Sequence, residues 1–194
     1  MNRMENIRGA ITRDRDALNA LLDNLDENEL EKALQFLLES SLTVTSACGS
    51  SGFAAKKFAH FLCCIEKPAK FVPPGEAVHG GMGALQKGNA LLVISKGGAS
   101  DELIPIVEIA KKKEAKVILV TAVADSVMAK LADAVLLIPN VPESDRYSVM
   151  STTSFATTMS VLHGLVIAIM EQTDYQLETF ALIHPGGAVG KKIT

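Results

Sequence analysis

The sequence has no tryptophan, only two tyrosines, and a small excess of acidic residues that gives a formal net charge of −3. So few aromatic rings argue against a surface that stacks nucleic-acid bases. Acidic and basic residues are mixed along the chain, so the basic stripe typical of a nucleic-acid-binding protein is missing as well. We therefore expect no nucleic-acid partner.

Cysteine is also scarce, and the three present are Cys48, Cys63 and Cys64. An odd count with two adjacent members does not form the disulfide framework of a small secreted domain. Their apolar neighbours indicate buried thiols in a reducing cytoplasm. The N-terminus lacks an apolar signal core, and no uninterrupted apolar run approaches the roughly 20 residues that span a bilayer. We therefore expect a soluble cytoplasmic protein without a membrane partner.

Hydrophobic residues are abundant, at 48%, which is enough for the core of one α/β domain. Apolar residues at helical spacing predict two N-terminal helices, at 5–25 and 27–40. Five short β-rich or apolar runs predict strands, at residues 41–47, 70–72, 90–95, 116–121 and 134–138. Helical patterns follow four of these strands, from residue 50, around 103–110, at 126–131 and at 152–172.

Strands that alternate with helices predict a three-layer αβα sandwich around a parallel sheet, joined by right-handed crossovers. We divide the chain into an N-terminal helical extension, residues 1–40, and an α/β domain, residues 41–194. Ligands of such sheets bind beyond the carboxyl ends of the strands. The turns that contain Ser50, Ser95 and Thr152 should therefore face a common crevice.

Hydroxyl-bearing residues cluster at three predicted helix starts. A helix N-terminus offers free amides and a partial positive charge to a phosphate. Each cluster alone is typical of an ordinary N-cap, but three at one sheet edge, two of them with glycines, favour a phosphate cradle. Neither a Walker loop nor a dinucleotide fingerprint is present. The predicted phosphate ligands are Gly49, Ser50, Ser51, Ser95, Ser100, Thr152, Thr153 and Ser154.

Two histidines lie in glycine-rich turns. His184 opens a segment, 184–191, with three glycines, and His79 lies in a second such segment, 74–81. Glycine permits close approach of the backbone to a ligand, and histidine exchanges protons near neutral pH. A helix C-cap with a loose end is the alternative for the tail segment alone, but the second histidine turn favours a proton-transfer role.

Metal chemistry has little support in the sequence. The other two histidines lie within apolar helical patterns, and neither His79 nor His184 has a carboxylate at a zinc-binding spacing. We therefore expect no metal and no organic cofactor. Among carboxylates, Glu143 is a stronger candidate than Glu76 because it shortly precedes the Ser/Thr cluster at 151–154. A solvated surface position is the alternative for both.

Together these turns resemble the sugar isomerase (SIS) domain family, and within it the bacterial D-arabinose 5-phosphate isomerases. The resemblance extends over residues 43–192 and is most specific at 73–80, 151–154 and 184–190. It implies a flavodoxin-like strand order and interconversion of D-ribulose 5-phosphate and D-arabinose 5-phosphate. That reaction feeds synthesis of the lipopolysaccharide and capsule sugar 3-deoxy-D-manno-octulosonate (Kdo). The resemblance also implies a homo-oligomer, a dimer or tetramer, with active sites between subunits.

The chain departs from the family pattern in two turns. The family carries a functional lysine where this chain has Ser50. In the next turn the family has a serine and a glutamate where this chain has Gly97 and Ala99. Lys96, in that same turn, is a candidate to restore the lost positive charge, so we add it to the predicted ligands. Many relatives append two CBS domains after the tail, and we expect this chain to lack that module.

The resemblance implies an enediol mechanism. Such a mechanism needs a base with a pKa of about 7, a second group that serves the oxygens of the sugar during proton transfer, and a phosphate anchor that orients the substrate. It assigns His184 as the leading base, His79 to ring opening or the oxygen-linked proton, and Glu143 to a third catalytic position. Two alternatives stay open, a non-catalytic phosphosugar-binding module and an isomerase of another sugar phosphate. A transcriptional regulator is disfavoured, because the first 40 residues lack a helix-turn-helix pattern and a basic face.

Overall fold

A five-stranded parallel sheet forms the centre of the computed structural model, which describes residues 3–186 and Gly190. Its strands lie in the order β2-β1-β3-β4-β5, and every pairing between neighbours is parallel. The strands are β1 (Thr43–Ala47), β2 (Ala69–Phe71), β3 (Ala90–Ile94), β4 (Lys116–Thr121) and β5 (Ala134–Leu137). The predicted three-layer α/β fold and its strand order are confirmed.

Two hydrophobic cores lie on opposite faces of the sheet, because alternate residues of a strand point to opposite sides. On β3, Leu92 packs in one core, whereas Leu91 and Val93 pack in the other. Covering both faces explains the uninterrupted apolar sequence of the inner strands. The helices are α1 (Arg3–Asp23), α2 (Glu27–Glu39), α3 (Gly49–Cys64), α4 (Pro74–Ala77), α5 (Ile104–Lys112), α6 (Thr153–Gln172) and α7 (Leu177–Ile183).

The two N-terminal helices pack directly on the α/β layers. Helix α1 contacts α6, and α2 covers both α6 and the edge strand β5. Glu29 of α2 accepts a hydrogen bond from the Val135 amide at 2.7 Å. This side chain therefore satisfies one backbone amide of the edge strand β5 that no neighbouring strand can reach. The packing of the extension is continuous with that of the domain, and a boundary at residue 40 stays a prediction.

Among the described residues, α6 is the helix whose length and apolar composition would allow it to cross a membrane. Half of the qualifying window is buried inside the fold, where α6 packs against α1, α2 and α3. A helix buried in a protein core is apolar for the same reason as a membrane span. Packing therefore accounts for the composition of α6.

Several local details differ from the sequence predictions. Residues 126–131 form turns rather than a helix, because the Met128 amide donates to the Gly98 carbonyl at 3.0 Å and not to the preceding turn. The short helices α4 and α7, and a 3₁₀ turn at Gly81–Ala84, are too short for a periodicity signal. None of the three cysteines is fully buried as predicted: Cys48 and Cys64 are half-buried, and Cys63 is exposed. Leu62 faces the core, and the next helical residue, Cys63, points away from it.

Candidate active site

A cleft of about 460 Å³ opens at the carboxyl ends of β1 and β3. Helix α3 leaves β1 on one face of the sheet, and the chain returns to β3 over the other face. Such a switch in strand order is where open α/β sheets bind their ligands. The residues that line the cleft are Ser50, Ser51, Lys96, Glu143, Ser148, Val149, Met150, Ser151 and Ser154.

The N-terminus of α3 forms one wall of the cleft. Cys48 occupies its N-cap position without a side-chain hydrogen bond, and Gly52 donates the first helical bond, to the Cys48 carbonyl at 3.1 Å. The amides of the preceding turn therefore have no acceptor within the helix. Gly49 has a φ of +52°, a conformation that favours glycine. This turn offers amides, two serine hydroxyls and the positive end of a helix dipole to the cleft.

Glu143 occupies the corresponding position at the N-terminus of α6. Its Oε2 accepts hydrogen bonds from the amides of Thr152 and Ser154 at 2.9 and 3.1 Å, and from Thr152 Oγ1 at 3.2 Å. Its Oε1 lies 2.6 Å from Nζ of Lys96. The predicted phosphate ligand Thr152 thus serves a carboxylate of the protein itself. Of the two helix N-termini at the cleft, α3 is the one left open to a ligand.

The ionisation of Glu143 follows from these contacts. Burial of the side chain, which is 3% exposed, would raise the pKa of Glu143. Hydrogen bonds from Lys96, Ser154 and the Thr152 amide outweigh burial and lower this pKa to about 2. A general acid or base works best with a pKa near the working pH. Glu143 is therefore poorly suited to proton transfer and well suited to act as a fixed charge that orients Lys96.

Besides Thr152 and Gly49, three predicted phosphate ligands do not line the cleft, namely Ser95, Ser100 and Thr153. Ser95 Oγ lies 3.0 Å from Ser100 Oγ and accepts a hydrogen bond from the Gly98 amide at 3.1 Å. Both hydroxyls are thus used within the turn after β3. Thr153 is fully buried, and its hydroxyl donates to Asp14 Oδ1 at 2.7 Å. In each case the hydroxyl that was predicted to bind the phosphate forms a hydrogen bond within the protein instead.

Sequence reasoning also misses the wall formed by residues 148–150. Asp145 organises this loop, because its carboxylate accepts hydrogen bonds from the amides of Tyr147, Val149 and Met150 at 2.8–2.9 Å. An aspartate followed closely by a serine-rich turn is a signal for such side-chain-to-backbone bonding. The loop places two apolar side chains, Val149 and Met150, at the rim of a polar cleft.

The two predicted catalytic histidines lie elsewhere in the chain. His184 follows α7 and stacks on Phe180, with 4.7 Å between ring centroids. Both line a second cavity of about 660 Å³ between the C-terminal halves of α3 and α6. His60, another lining residue, lies ten residues beyond Ser50 on α3, about 15 Å of helix. His79 is exposed after α4 and lines neither cavity.

A single chain therefore does not bring His79 or His184 into the cleft. The remainder of the tail motif, residues 187–189 and 191, lies outside the described residues. Within 3–186 and at 190, no three His, Cys, Asp or Glu side chains form a group suited to a metal ion. The contact of His60 Nε2 with Cys64 Sγ at 3.5 Å is thus a hydrogen bond between two side chains of α3 without a third metal-binding group beside it in the described part of the chain.

Comparison with known proteins places the chain among SIS domains. The SIS domain family matches residues 37–168. Arabinose 5-phosphate isomerase KpsF of Escherichia coli is 31% identical over 178 residues, which cover 91% of this chain and 54% of that protein. The chain thus spans about half the length of the curated relatives that it matches.

Two solved structures are similar to this chain over almost its whole length. A candidate sugar-phosphate isomerase from Listeria monocytogenes has 35% sequence identity and a TM-score of 0.90, covering 96% of this chain and 100% of that one. A protein of E. coli CFT073 in complex with arabinose 5-phosphate has 24% identity and a TM-score of 0.87, covering 95% and 100%. The second similarity shows a common fold.

Proposed function

The chain belongs to the SIS domain family, and on this premise we propose that it is a sugar-phosphate isomerase. Its reaction interconverts D-ribulose 5-phosphate and D-arabinose 5-phosphate through an enediol. Its curated relatives are named arabinose 5-phosphate isomerases, which supports the aldose of this pair, a precursor of Kdo. The observation that carries the proposal is the cleft, which joins an open helix N-terminus to a lysine held by a buried carboxylate.

The phosphate binds at the first turn of α3. Ser50 and Ser51 line the cleft there, and the amides of this turn have no acceptor within the helix. A phosphate placed on these groups receives several hydrogen bonds and the favourable end of the helix dipole. This anchor orients the sugar chain toward Lys96, which lines the same cleft.

Lys96 stabilises the oxygens of the enediol. Glu143 fixes its ammonium group at 2.6 Å, and the Lys96 side chain remains 37% exposed, so the ammonium is accessible to a bound sugar. Negative charge develops on the sugar oxygens as the carbon-bound proton leaves. A preorganised cation lowers the energy of that state. Glu143 then acts as a positioning residue through Lys96.

The proton-transfer groups are His184 and His79 of neighbouring subunits in a homo-oligomer. Starting from the ketose, a base takes a proton from carbon 1, and a proton returns to carbon 2. The hydroxyl on carbon 1 loses its proton and the carbonyl oxygen on carbon 2 gains one, so one carbon-bound and one oxygen-bound hydrogen pass from position 1 to position 2. The enzyme gains or loses no electrons, and no cofactor is consumed. The exposed face of α1, with Met4, Ile7 and Ile11 each 52–64% exposed, supports burial against another subunit.

Proton NMR of the protein with D-ribulose 5-phosphate in heavy water tests this function. Arabinose 5-phosphate with deuterium at carbon 2 is the expected product, since the enediol exchanges its proton with solvent. A Lys96→Ala variant is expected to bind the sugar phosphate and turn it over more slowly. Absence of both product and exchange in the wild-type protein would contradict the proposal.

A non-catalytic phosphosugar-binding module is the second candidate. Two observations favour it: Ser50 stands where the family has a lysine, and none of the residues that line the cleft is a histidine. Its signature is a saturable thermal shift with a sugar phosphate but no turnover. An isomerase of a hexulose or heptulose phosphate is distinguished by substrate profiling.

A further inference from the structure

Two adjacent residues of α1 contact both ends of the segment that carries Glu143. Nη1 of Arg13 donates a hydrogen bond to the Glu143 carbonyl at 2.6 Å. Oδ1 of Asp14 accepts one from Thr153 Oγ1 at 2.7 Å. Helix α1 ends at residue 23, before the family match begins at residue 37. A helix outside the matched region is therefore bonded to the wall of the cleft.

We propose that Arg13 and Asp14 are positioning residues of the cleft. They clamp residues 143–153 against α1, so that the Glu143 carboxylate stays on Lys96 and on the first amides of α6. The catalytic consequence of this clamp rests on the proposed function. The clamp itself does not, because it is a statement about the geometry of one loop.

The bonding inside the clamped segment explains how a contact at its ends reaches the carboxylate. Ser144 Oγ lies 3.0 Å from Thr153 Oγ1, the group that Asp14 holds. The Ser144 amide donates to Thr152 Oγ1 at 2.8 Å, and that hydroxyl donates in turn to Glu143 Oε2. Hydrogen bonds from Ser144 to Thr152 and Thr153 thus join the two ends of the segment. Arg13 and Asp14 of α1 bind the same two ends.

The two clamp contacts differ in what their loss would do. Arg13 is exposed, so its truncation creates no cavity and should change the free energy of unfolding little. It does remove the donor that orients the Glu143 peptide. Truncation of Asp14 leaves the fully buried Thr153 hydroxyl with one partner fewer, so Asp14→Ala is expected to lower stability as well. Arg13 is therefore the cleaner probe of positioning.

The test compares Arg13→Ala and Arg13→Lys with a control, Arg15→Ala. Arg15 is an exposed arginine of the same helix, and its side chain pairs with Asp16, away from the cleft. The first measurement needs no substrate. It follows by NMR the hydrogen exchange of the Thr152 and Ser154 amides, which donate hydrogen bonds to the Glu143 carboxylate. We expect Arg13→Ala to lower their protection about tenfold, the effect of losing a charged hydrogen bond, and Arg15→Ala to leave it unchanged.

The second measurement is the kinetics of isomerisation. In Arg13→Ala, kcat should fall by about the same tenfold factor, because Lys96 loses its fixed position. KM should change less than about twofold, because the phosphate anchor on α3 is untouched. Arg13→Lys should recover part of both effects, since an ammonium group also donates to a carbonyl.

The outcomes separate this proposal from the proposed function. Amide protection in Arg13→Ala equal to that in Arg15→Ala overturns the clamp, whatever the activity. Loss of protection together with loss of kcat supports both the clamp and its catalytic role. Loss of protection in a protein without isomerase activity supports the clamp and overturns the proposed function alone.

Discussion

Glu143 and Lys96 lie 47 positions apart in the chain, and their side chains meet at 2.6 Å beside the cleft. The same carboxylate accepts two amides of α6, so one buried group closes a helix N-terminus and fixes a cation. The open helix N-terminus of α3 lines the same cleft as this pair. The cleft is therefore suited to an anion although the whole chain has a net charge of −3.

The depressed pKa of Glu143 predicts how stability depends on pH. A carboxyl whose pKa falls from its ordinary 4.5 to about 2 on folding stabilises the protein above pH 4.5, and this contribution is lost as the pH falls toward 2. Such a shift corresponds to at most about 3 kcal/mol. Chemical denaturation between pH 6 and pH 2 should show a steeper loss for the wild-type protein than for Glu143→Gln.

The control for this experiment is Glu76→Gln. Glu76 is exposed, so this variant should follow the wild-type curve across the same pH range. Identical curves for the wild-type protein and Glu143→Gln would show that folding does not lower the pKa of Glu143.

A negative charge at the first turn of α3 should abolish phosphate binding. We expect Ser51→Asp to remove the thermal stabilisation by inorganic phosphate and to raise KM at least about tenfold. The new carboxylate would accept hydrogen bonds from the free amides of α3 and would repel the negatively charged ligand. Ser41→Asp is the matched control at the amino end of β1, where the new carboxylate still accepts the bond that Ser41 receives from Asn89. Phosphate stabilisation retained in Ser51→Asp would place the anchor elsewhere.

Lys96 should replace the family lysine that is missing at Ser50. Lys96→Ala is expected to lower kcat about tenfold or more, the range for a charged hydrogen bond. Ser50→Lys alone should raise kcat less than about twofold, because the cleft already holds a cation. The kinetics of the double variant test whether the two lysine positions are interchangeable. Ser50→Lys in the Lys96→Ala background should then recover activity. A large gain from Ser50→Lys in the wild-type background would contradict this assignment.

The histidines should act across subunit boundaries. His79→Ala and His184→Ala should each lower kcat about 100-fold or more, the usual share of general acid–base catalysis. His60→Ala is the control and should leave kcat unchanged, because His60 lines the same cavity as His184 but has no role in the proposed mechanism.

If the two histidines of one site come from different subunits, co-refolding the two inactive variants should restore part of the activity. Folded single variants with unchanged turnover would remove both histidines from the mechanism.

The fold class and part of the cleft follow from the order and spacing of the residues alone. The apolar run at 90–95 has no polar alternation, and a strand of that kind is buried on both faces of a parallel sheet. Ser50 and Ser51 follow a strand and open a helix, which places them at the carboxyl edge of the sheet. These features are local and periodic, so they can be read from spacing alone.

Which polar groups remain open to a ligand depends on contacts between distant parts of the chain. The amides of Thr152 and Ser154 are taken by Glu143, and the Thr153 hydroxyl is taken by Asp14 from a helix 139 positions away. Hydrogen-bond partners of this kind depend on the path of loops and the packing of distant helices, which leave no periodic trace in the sequence. The sequence therefore indicates which residues lie near the cleft, and packing decides which of them face it.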